Sequence, residues 1–323
     1  MNRFEAQVRS VVEAVRVVGP DGFVWQSTEI RVPADGPAAT IRRRLVTRLA
    51  DRLYGCFFRP GRVVEHPEQL GQSLVGRTRL ANQLARAHTS RWSCQAGWRV
   101  LGHDGPCTVL ERAGLRVWAS PEQIGANHRE HGHDDHVALH FPPECFDAYP
   151  GYYVALGETD LGSRPEGVAR VYWNVRASGA AVLVAELTGR LNGRGIAFRL
   201  KLPNRRPGYR RTDAAVLYID RADLTWVSTI APSIRTELGV WLEVPIPALT
   251  CPIVPGVSYA HDPGTGESFG HHRCNLIAEG LVRASAGGRR SDEGRVAVVE
   301  KVFLESGLRM SAPYFSPHGG TGT

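Results

Sequence analysis

The chain of 323 residues is 42% hydrophobic and 22% charged, which permits an ordinary buried core and excludes an intrinsically disordered protein. Its formal net charge of +7 comes almost entirely from arginine, since lysine occurs only at positions 201 and 301. No stretch approaches the roughly 20 apolar residues of a membrane span, no signal-peptide pattern opens the chain, and the six cysteines form no C-x-x-C pair. These features predict a cytoplasmic protein with reduced thiols, and a diffuse positive charge is compatible with phosphate or acidic substrates.

The N-terminal part of the chain has apolar residues at helical spacing. This periodicity predicts helices over residues 4–18, 39–58 and 69–87. Pro60-Gly61 ends the second of them. We therefore expect residues 1–96 to form a mainly helical region.

From Gly97 onward the apolar period becomes that of short strands separated by glycine and proline. The predicted strands are 98–101, 108–111, 115–119, 137–141, 152–156, 168–175, 196–202 and 214–219. The predicted helices are 179–191, 224–242 (interrupted by Pro232), 269–285 and 295–307, with long loops at 119–136 and 245–268. The order lacks regular βαβ alternation. We predict an α+β fold, with the N-terminal helical region packed on a mixed, mostly antiparallel sheet and C-terminal helices, in which residues 97–323 form the second region.

A histidine-rich motif, His-Gly-His-Asp-Asp-His, occupies positions 131–136 and fits the H-x-H-x-D-H pattern of the metallo-β-lactamase superfamily. Imidazole and carboxylate are ligand types that zinc binds in proteins. The candidate ligands of such a zinc hydrolase are His131, His133, Asp135 and His136. In that superfamily a buried strand precedes the motif, whereas residues 123–130 are polar here. The simpler interpretation is an exposed histidine-rich loop, and we expect no metal cofactor.

A second short motif, Gly-Glu-Ser-Phe-Gly at positions 266–270, matches the G-x-S-x-G pattern of a hydrolase nucleophile elbow. That elbow needs a hydrophobic strand before it, and residues 260–265 are predicted to be a loop. The simpler interpretation makes Ser268 the N-cap of the helix that follows. The sequence has no P-loop, no kinase motifs and no aromatic-basic pattern of nucleic-acid binding, so we expect no nucleic-acid partner.

A cationic set of residues on neighbouring predicted strands carries more chemistry. By the two-residue alternation of a strand, Arg170, Tyr172 and Asn174 share one face. Arg199 and Lys201 share a face of the next strand candidate. Residues 209–213 lead into a further strand, and 269–273 open a helix whose N-terminal amides favour an anion. A solvated polar sheet face is the simpler explanation. It fits Lys201 poorly, because its neighbours are apolar and a half-buried charge usually needs a partner.

At these same segments the sequence resembles the HopA-like family. The matching stretches are Leu53-Tyr54, 57–61, Gly97-Trp98, 150–158 (PGYYVALGE), 170–174 (RVYWN), 198–201 (FRLK), 211–218 (RTDAAVLY) and 268–273 (SFGHHR), in family order through most of the chain. The family includes a plant-pathogen type III effector and actinobacterial lyases of class V lanthipeptide and thioamitide (RiPP) biosynthesis. The lyases eliminate phosphate from serine or threonine phosphorylated by a separate kinase, leaving dehydroalanine or dehydrobutyrine.

The resemblance implies a phosphoserine/phosphothreonine lyase, and elimination chemistry suggests the roles at its site. Lys201 is the expected base for the α-proton, because neighbouring arginines would lower its pKa toward neutrality. His272 is the expected general acid, with His140 in reserve. Tyr172 or Asn174 could polarise the substrate carbonyl. No metal is required.

The leaving phosphate needs cations. The expected phosphate-binding residues are Arg170, Arg199, Arg211, Arg273 and Asn174. Asp213 is expected to orient an arginine. The implied partners are a phosphorylated precursor peptide and a kinase of the aminoglycoside-phosphotransferase type, with residues 1–96 as a candidate docking region and no membrane partner. The main alternative is a non-catalytic HopA-like effector or a peptide- or kinase-binding protein.

Overall fold

A computed structural model describes residues 2–60, 78–112, 114–124, 131–146, 149–161 and 167–317. The chain opens with helix α1 (Arg3–Ala14), whose N-cap Asn2 forms a capping box with Glu5. The predicted helix over 4–18 is too long, because α1 ends where the β-branched run of strand β1 (Val15–Val18) begins.

A small antiparallel sheet interrupts the N-terminal helical region, which the helical prediction missed. β1 is followed by β2 (Gly22–Trp25) and β3 (Thr28–Arg31), in the order β1-β2-β3. Gly19 has a φ of +65° in the turn that joins the first two strands. The strands are only four residues long, which hides their two-residue period among the helical matches around them.

Two further helices complete this part of the chain. Helix α2 (Ala38–Leu53) continues into a π-helical turn over Tyr54–Phe58, so the predicted helix over 39–58 is confirmed in its extent. Helix α3 (Arg79–Ala87) begins after the N-cap Thr78. Most of the earlier half of the predicted 69–87 helix lies outside the described residues.

A four-stranded antiparallel sheet follows, with its own small apolar core around Trp98, Val100 and Leu110. Its strands are β4 (Ser93–Asp104), β5 (Cys107–Arg112), β6 (Leu115–Ala119) and β7 (His136–Phe141), in the order β6-β5-β4-β7. The short helix α4 (Pro121–Ile124) packs against β7. The predicted strands in this region are confirmed; the strand over 115–119 has the predicted bounds and the other three are longer than predicted.

A seven-stranded sheet forms the centre of the fold. Its strands are β8 (Glu144–Cys145), β9 (Tyr152–Leu156), β10 (Val168–Trp173), β11 (Phe198–Pro203), β12 (Ala215–Asp220), β13 (Cys251–Val254) and β14 (Val257–His261). The order is β13-β14-β10-β12-β11-β9-β8, and every strand pairing among the described residues is antiparallel.

The β13–β14 hairpin lies within residues 245–268, where the sequence predicted a loop, and that prediction is wrong. The turn contains Pro255 and Gly256, and Gly256 has a φ of +84°. Pro252 lies in β13, which is an edge strand, and an edge strand tolerates a residue without an N–H group. The proline content therefore marks a sheet edge and a tight turn.

Helices cover both faces of the central sheet. Helices α5 (Ala180–Gly193) and α6 (Leu224–Leu238) enclose one core with the face that carries Val171, Trp173 and Leu217. Helices α7 (Phe269–Ala286) and α8 (Asp292–Glu305) form a second core with α1, α2 and part of the opposite face. The α+β class with C-terminal helices on a largely antiparallel sheet is confirmed. Within the described residues no helix has the length and apolar character to cross a bilayer.

Close packing of α7 on the π-helical turn depends on Gly270. A Cβ atom built at Gly270 would overlap the Phe58 ring and lie 2.7 Å from the Cε2 atom of Tyr54. Tyr54 and Phe58 are both buried, so neither ring can turn aside without leaving the core. Gly270 thus sets how near α7 approaches the π-helical turn.

We expect Gly270→Ala to lower the free energy of unfolding by about 1–3 kcal/mol, the usual cost of overpacking a core. Chemical denaturation measures this change. Gly55→Ala is the matched control, because it lies in the same π-helical turn and a Cβ atom at position 55 would meet no other atom within 4 Å. Equal stability of the two variants would contradict the close-packing argument.

Candidate functional site

A small hollow of about 80 Å³, partly open to solvent, lies between the central sheet and the segments that hold Tyr54, Phe58 and Ser268. It is smaller than the roughly 300–1,000 Å³ of a typical site for a drug-sized ligand. The charged lining residues are Arg170, Lys201, Arg211 and Asp213. We call this hollow the cationic pocket.

Strand alternation and register place the sheet residues of the cationic pocket. Tyr172 and Lys201 both pair with Val216, in β10–β12 and β11–β12 respectively. Arg170 pairs with Tyr218 one alternation further along. These five residues therefore share the sheet face that looks toward α7, as the sequence predicted for Arg170, Tyr172 and Lys201.

A buried ion pair between Arg211 and Asp213 forms the floor of the cationic pocket. Arg211 binds Asp213 through Nε and Nη2, and its Nη1 atom donates to the Tyr152 hydroxyl at 3.0 Å. The Tyr54 hydroxyl accepts from Arg211 Nη2 at 3.3 Å and donates to Asp213 at 3.4 Å. Burial raises the pKa of Asp213, but the charge and hydrogen bonds of Arg211 and the charge of Arg59 together outweigh burial, so the net pKa is lowered and the carboxylate stays ionised. The contact is consistent with the expected orienting role of Asp213.

Arg170 is held at a second corner of the cationic pocket. Its Nε atom donates to Asp262 at 2.7 Å, and its Nη2 atom donates to the carbonyl oxygen of Glu267 at 2.9 Å. Arg170 and Asp262 are both buried. The contacts join β10 to the loop that leads into α7.

Lys201 is the third cation, and it is enclosed by aromatic rings. Its Nζ atom lies 4.2 Å from the ring centroid of Tyr149 and 4.1 Å from that of Tyr152. No carboxylate among the described residues forms an ion pair with it. Burial, followed by the charges of Arg211 and Arg170, lowers the pKa of Lys201 to about 8. A lysine with a pKa near neutrality can exchange protons at physiological pH.

Four residues of the predicted set lie outside the lining of the cationic pocket. Asn174 is buried and donates from Nδ2 to the carbonyl oxygen of Pro245 at 2.8 Å. Arg199 shares the face of Lys201 by alternation, but its side chain is exposed beyond the pocket. The remaining two are Arg273 and His272.

Arg273 is fully buried and anchors the C-terminal segment. It donates to the carbonyl oxygen of Pro313 at 2.7 Å and to that of Phe315 at 3.1 Å, and to the hydroxyl of Ser316 at 2.8 Å. Its Nη1 atom also lies 2.7 Å from Nδ1 of His272. Burial and the charge of Arg273 lower the pKa of His272 to about 4, so this imidazole is neutral at pH 7.

The reserve general acid and the histidine motif lie in the four-stranded sheet. His140 is in β7, with Nε2 3.8 Å from the Cys94 sulfur. Within positions 131–136, Asp135 accepts the Gly132 amide at 2.7 Å and His133 lies 3.0 Å from Asp134. The described residues contain no group of three His, Cys, Asp or Glu side chains arranged to hold a metal ion. The zinc-hydrolase alternative thus gains no support from the geometry.

Sequence reasoning missed the tyrosines and Ser268 of the pocket. The tyrosines lining it besides Tyr172 are Tyr54, Tyr152 and Tyr218. Tyr218 could have been found, since it alternates with Val216 on a predicted strand. Tyr54 comes from a distant helix and has no spacing signal, although Leu53-Tyr54 is among the stretches that resemble the HopA-like family. Ser268 does cap α7, accepting the His271 amide at 3.2 Å, as the sequence predicted, but it also lines the pocket.

We expect Lys201 to titrate near pH 8 in the folded protein. The chain has only two lysines, so NMR of protein carrying lysine labelled at the ε-carbon gives two titrating signals, and Lys201→Ala identifies the signal of Lys201. Arg211→Ala should raise the pKa of Lys201, because it removes a nearby positive charge and leaves Asp213 without its partner. An unperturbed pKa near 10.4 would contradict the burial described here.

Comparison with known proteins identifies the family of the chain. No curated protein sequence matches it. Two solved structures are similar in outline, both with 13% sequence identity. The match to the effector protein from Pseudomonas syringae pv. tomato strain DC3000 has a TM-score of 0.49 and covers 97% of this chain and 96% of the effector chain. The match to the effector protein from Pseudomonas syringae pv. syringae strain 61 has a TM-score of 0.44 and covers 84% of this chain and 95% of the effector chain. The HopA1 effector protein family model matches residues 146–315, more than half of the chain, and the chain therefore belongs to this family.

Proposed function

We propose that this protein is a lyase that eliminates phosphate from phosphoserine or phosphothreonine in a ribosomal precursor peptide, giving dehydroalanine or dehydrobutyrine. The observation that carries the proposal is the half-buried Lys201, whose pKa is lowered to about 8 beside two arginines. A weakly basic amine next to cations that can hold a phosphate is what β-elimination needs.

Lys201 supplies the base. Its neutral Nζ takes the α-proton of the phosphorylated residue, the C–H electrons form the α,β double bond, and the β-carbon–oxygen bond breaks with its electrons leaving on phosphate. Tyr172 is fully buried, and burial raises its pKa strongly, so it remains a neutral hydroxyl donor. A hydrogen bond from Tyr172 to the substrate carbonyl would acidify the α-proton.

Arg170 and Arg211 supply donors for the phosphate. Arg170 Nη1 has no hydrogen bond within the described part of the chain, so both of its N–H groups are available. Arg211 Nη1 donates one of its two N–H groups to the Tyr152 hydroxyl, and the other N–H group remains for the phosphate. The geometry therefore favours these two arginines over Arg199 and Arg273, which lie outside the pocket.

The charge balance of the cationic pocket suits an anion. Three cations face two buried carboxylates, Asp213 and Asp262, which leaves one positive charge for the substrate. A bound phosphate dianion would draw a proton onto Lys201, and the arginine N–H groups offset that pull by taking up the negative charge. Elimination then proceeds in those enzyme molecules whose Lys201 amine is neutral.

The proposal extends to the partners and the location of the protein. A separate kinase, of the aminoglycoside-phosphotransferase type, would supply the phosphorylated precursor, with the N-terminal region as a docking surface. We place this reaction in the cytoplasm, where the six unpaired cysteines would stay reduced.

Lys201→Ala should abolish elimination by removing the base, a loss of at least about 100-fold. Loss of phosphoric acid from a phosphoserine peptide, followed by mass spectrometry, measures the activity, and fluorescence anisotropy measures peptide binding, which should survive. Lys301→Ala is the matched control, because Lys301 is an exposed residue of α8. Normal turnover by Lys201→Ala would remove Lys201 from the mechanism.

Loss of the Arg211 guanidinium should weaken binding of the phosphopeptide by at least about tenfold, which corresponds to about 1.4 kcal/mol. The double variant Arg211→Gln, Asp213→Asn avoids leaving a buried carboxylate without its partner. Arg199→Gln is the control, on the same sheet face but outside the pocket, and should bind normally. If the double variant binds the phosphorylated peptide as tightly as Arg199→Gln does, Arg211 has no part in phosphate recognition.

A non-catalytic effector is the second candidate function, favoured by the description of the matching family as effector proteins. A phosphopeptide that binds to the wild-type protein and is never converted, even with the kinase present, would support this candidate over the lyase.

A further inference from the structure

Two side chains at the start of α7, together with Asp51 of α2, connect the cationic pocket to solvent. Ser268 lines the pocket, and its Oγ atom lies 3.0 Å from Nδ1 of His271. The other ring nitrogen of His271, Nε2, lies 3.7 Å from a carboxylate oxygen of Asp51 in α2. The imidazole is stacked on the Tyr54 ring, with 3.7 Å between the ring centroids. His271 and Asp51 both reach the surface, with side-chain exposures of 40% and 53%.

Counting donors and acceptors fixes where the Ser268 proton points. A serine hydroxyl has one proton and two lone pairs. One lone pair accepts the backbone N–H of His271 at 3.2 Å, which is the N-cap contact of α7. When His271 is protonated, its Nδ1–H group occupies the second lone pair. The hydroxyl proton then has no acceptor in this cluster and is free for a group in the pocket.

We propose that His271 and Ser268 form the proton relay that protonates the departing phosphate. This inference rests on the proposed lyase function and names its general acid. As the β-carbon–oxygen bond breaks, that oxygen leaves with phosphate and receives the hydroxyl proton of Ser268, while the proton on Nδ1 of His271 passes to Oγ. Neutral His271 then regains a proton from solvent through its exposed side.

In this proposal the relay, and not His272, is the general acid; the sequence had suggested His272 for that role. His272 is outside the pocket lining, and its Nδ1 atom faces the buried guanidinium of Arg273. His271, one residue earlier, is directed to the opposite partners, Ser268 and Asp51. Neither histidine lines the pocket itself, but adjacent residues of a helix point about 100° apart, and only His271 contacts Ser268, which does line it.

Several charges determine when His271 carries its proton. Burial is the largest effect and lowers the pKa of His271. Asp51 of α2, and Glu267 and Asp213 near the pocket, act in the opposite direction, whereas Arg59 lowers the pKa further. A phosphate dianion beside Ser268 adds a negative charge and favours the protonated imidazole. The bound substrate thus favours the protonated form of His271, the residue that supplies the proton.

The relay has a signature in the pH dependence of kcat/KM. Elimination needs neutral Lys201 and protonated His271 at once. Above the Lys201 pKa of about 8 the neutral lysine fraction no longer grows, while the protonated His271 fraction keeps falling, so kcat/KM of the wild type should decline. In His271→Asn the decline should disappear, leaving a rise to a plateau, and kcat should fall at least about 100-fold.

Substitutions at Ser268 separate the relay from the helix cap. Ser268→Thr retains both the cap and the hydroxyl proton, and we expect activity near that of the wild type. Ser268→Asn retains the capping ability but lacks the hydroxyl. It should lose activity as His271→Asn does, with an unchanged thermal unfolding midpoint. His272→Asn, outside the pocket, is the control and should keep the wild-type pH profile.

The outcomes distinguish this inference from the proposed function. If the wild type eliminates phosphate and either His271→Asn or Ser268→Asn retains its kcat and its alkaline decline, the relay is wrong and the lyase stands. If the wild type does not eliminate phosphate with the kinase present, both are wrong. Should His271→Asn fail to fold, the comparison of Ser268→Asn with Ser268→Thr decides the question.

Discussion

The buried ion pair of Arg211 and Asp213 is the constraint on which the cationic pocket depends. The pair forms hydrogen bonds with the hydroxyls of Tyr54, from the π-helical turn after α2, and of Tyr152, from β9. Leaving either charge of a buried pair without its partner costs about 3–5 kcal/mol, so the pair resists separation. The N-terminal helices and the central sheet are thereby held at a fixed distance around Lys201.

The chemistry of Lys201 follows from that arrangement. Arg211 and Arg170 each have a buried carboxylate partner, whereas within the described part of the chain the ammonium of Lys201 has no ion pair and lies beside two tyrosine rings. Ring faces attract a cation, but less strongly than an adjacent carboxylate would hold it. Each unit of lowered pKa corresponds to about 1.4 kcal/mol that favours the neutral amine. The cationic pocket thus contains a lysine whose ammonium form is destabilised.

The sequence predicted those parts of the site that are determined by local periodicity. Alternation along β10 and β11 was enough to group Arg170, Tyr172 and Lys201, because both strands keep their period to the end. It also grouped Arg199 with Lys201, since alternation specifies a face and says nothing of how far the pocket extends. The fold class followed from the order of periodic segments.

Contacts between distant segments were beyond the sequence. Tyr54 comes to the pocket from the π-helical turn, and α7 packs closely on its ring at Gly270. Arg273 was predicted to bind phosphate, yet it is enclosed by carbonyls from residues near the C-terminus, which no spacing pattern encodes. The two adjacent histidines look alike in the sequence, and only the rotation of α7 directs His271 to Ser268 and His272 to Arg273.

The anchoring of the C-terminal segment by Arg273 affects how the protein can be handled. Pro313, Phe315 and Ser316 supply the acceptors of a guanidinium with no access to water. A chain that ended before Pro313 would leave the buried guanidinium of Arg273 in α7 without these acceptors. Ser268 and His271 belong to the start of the same helix. An affinity tag therefore belongs after Ser316, where it leaves these acceptors in place.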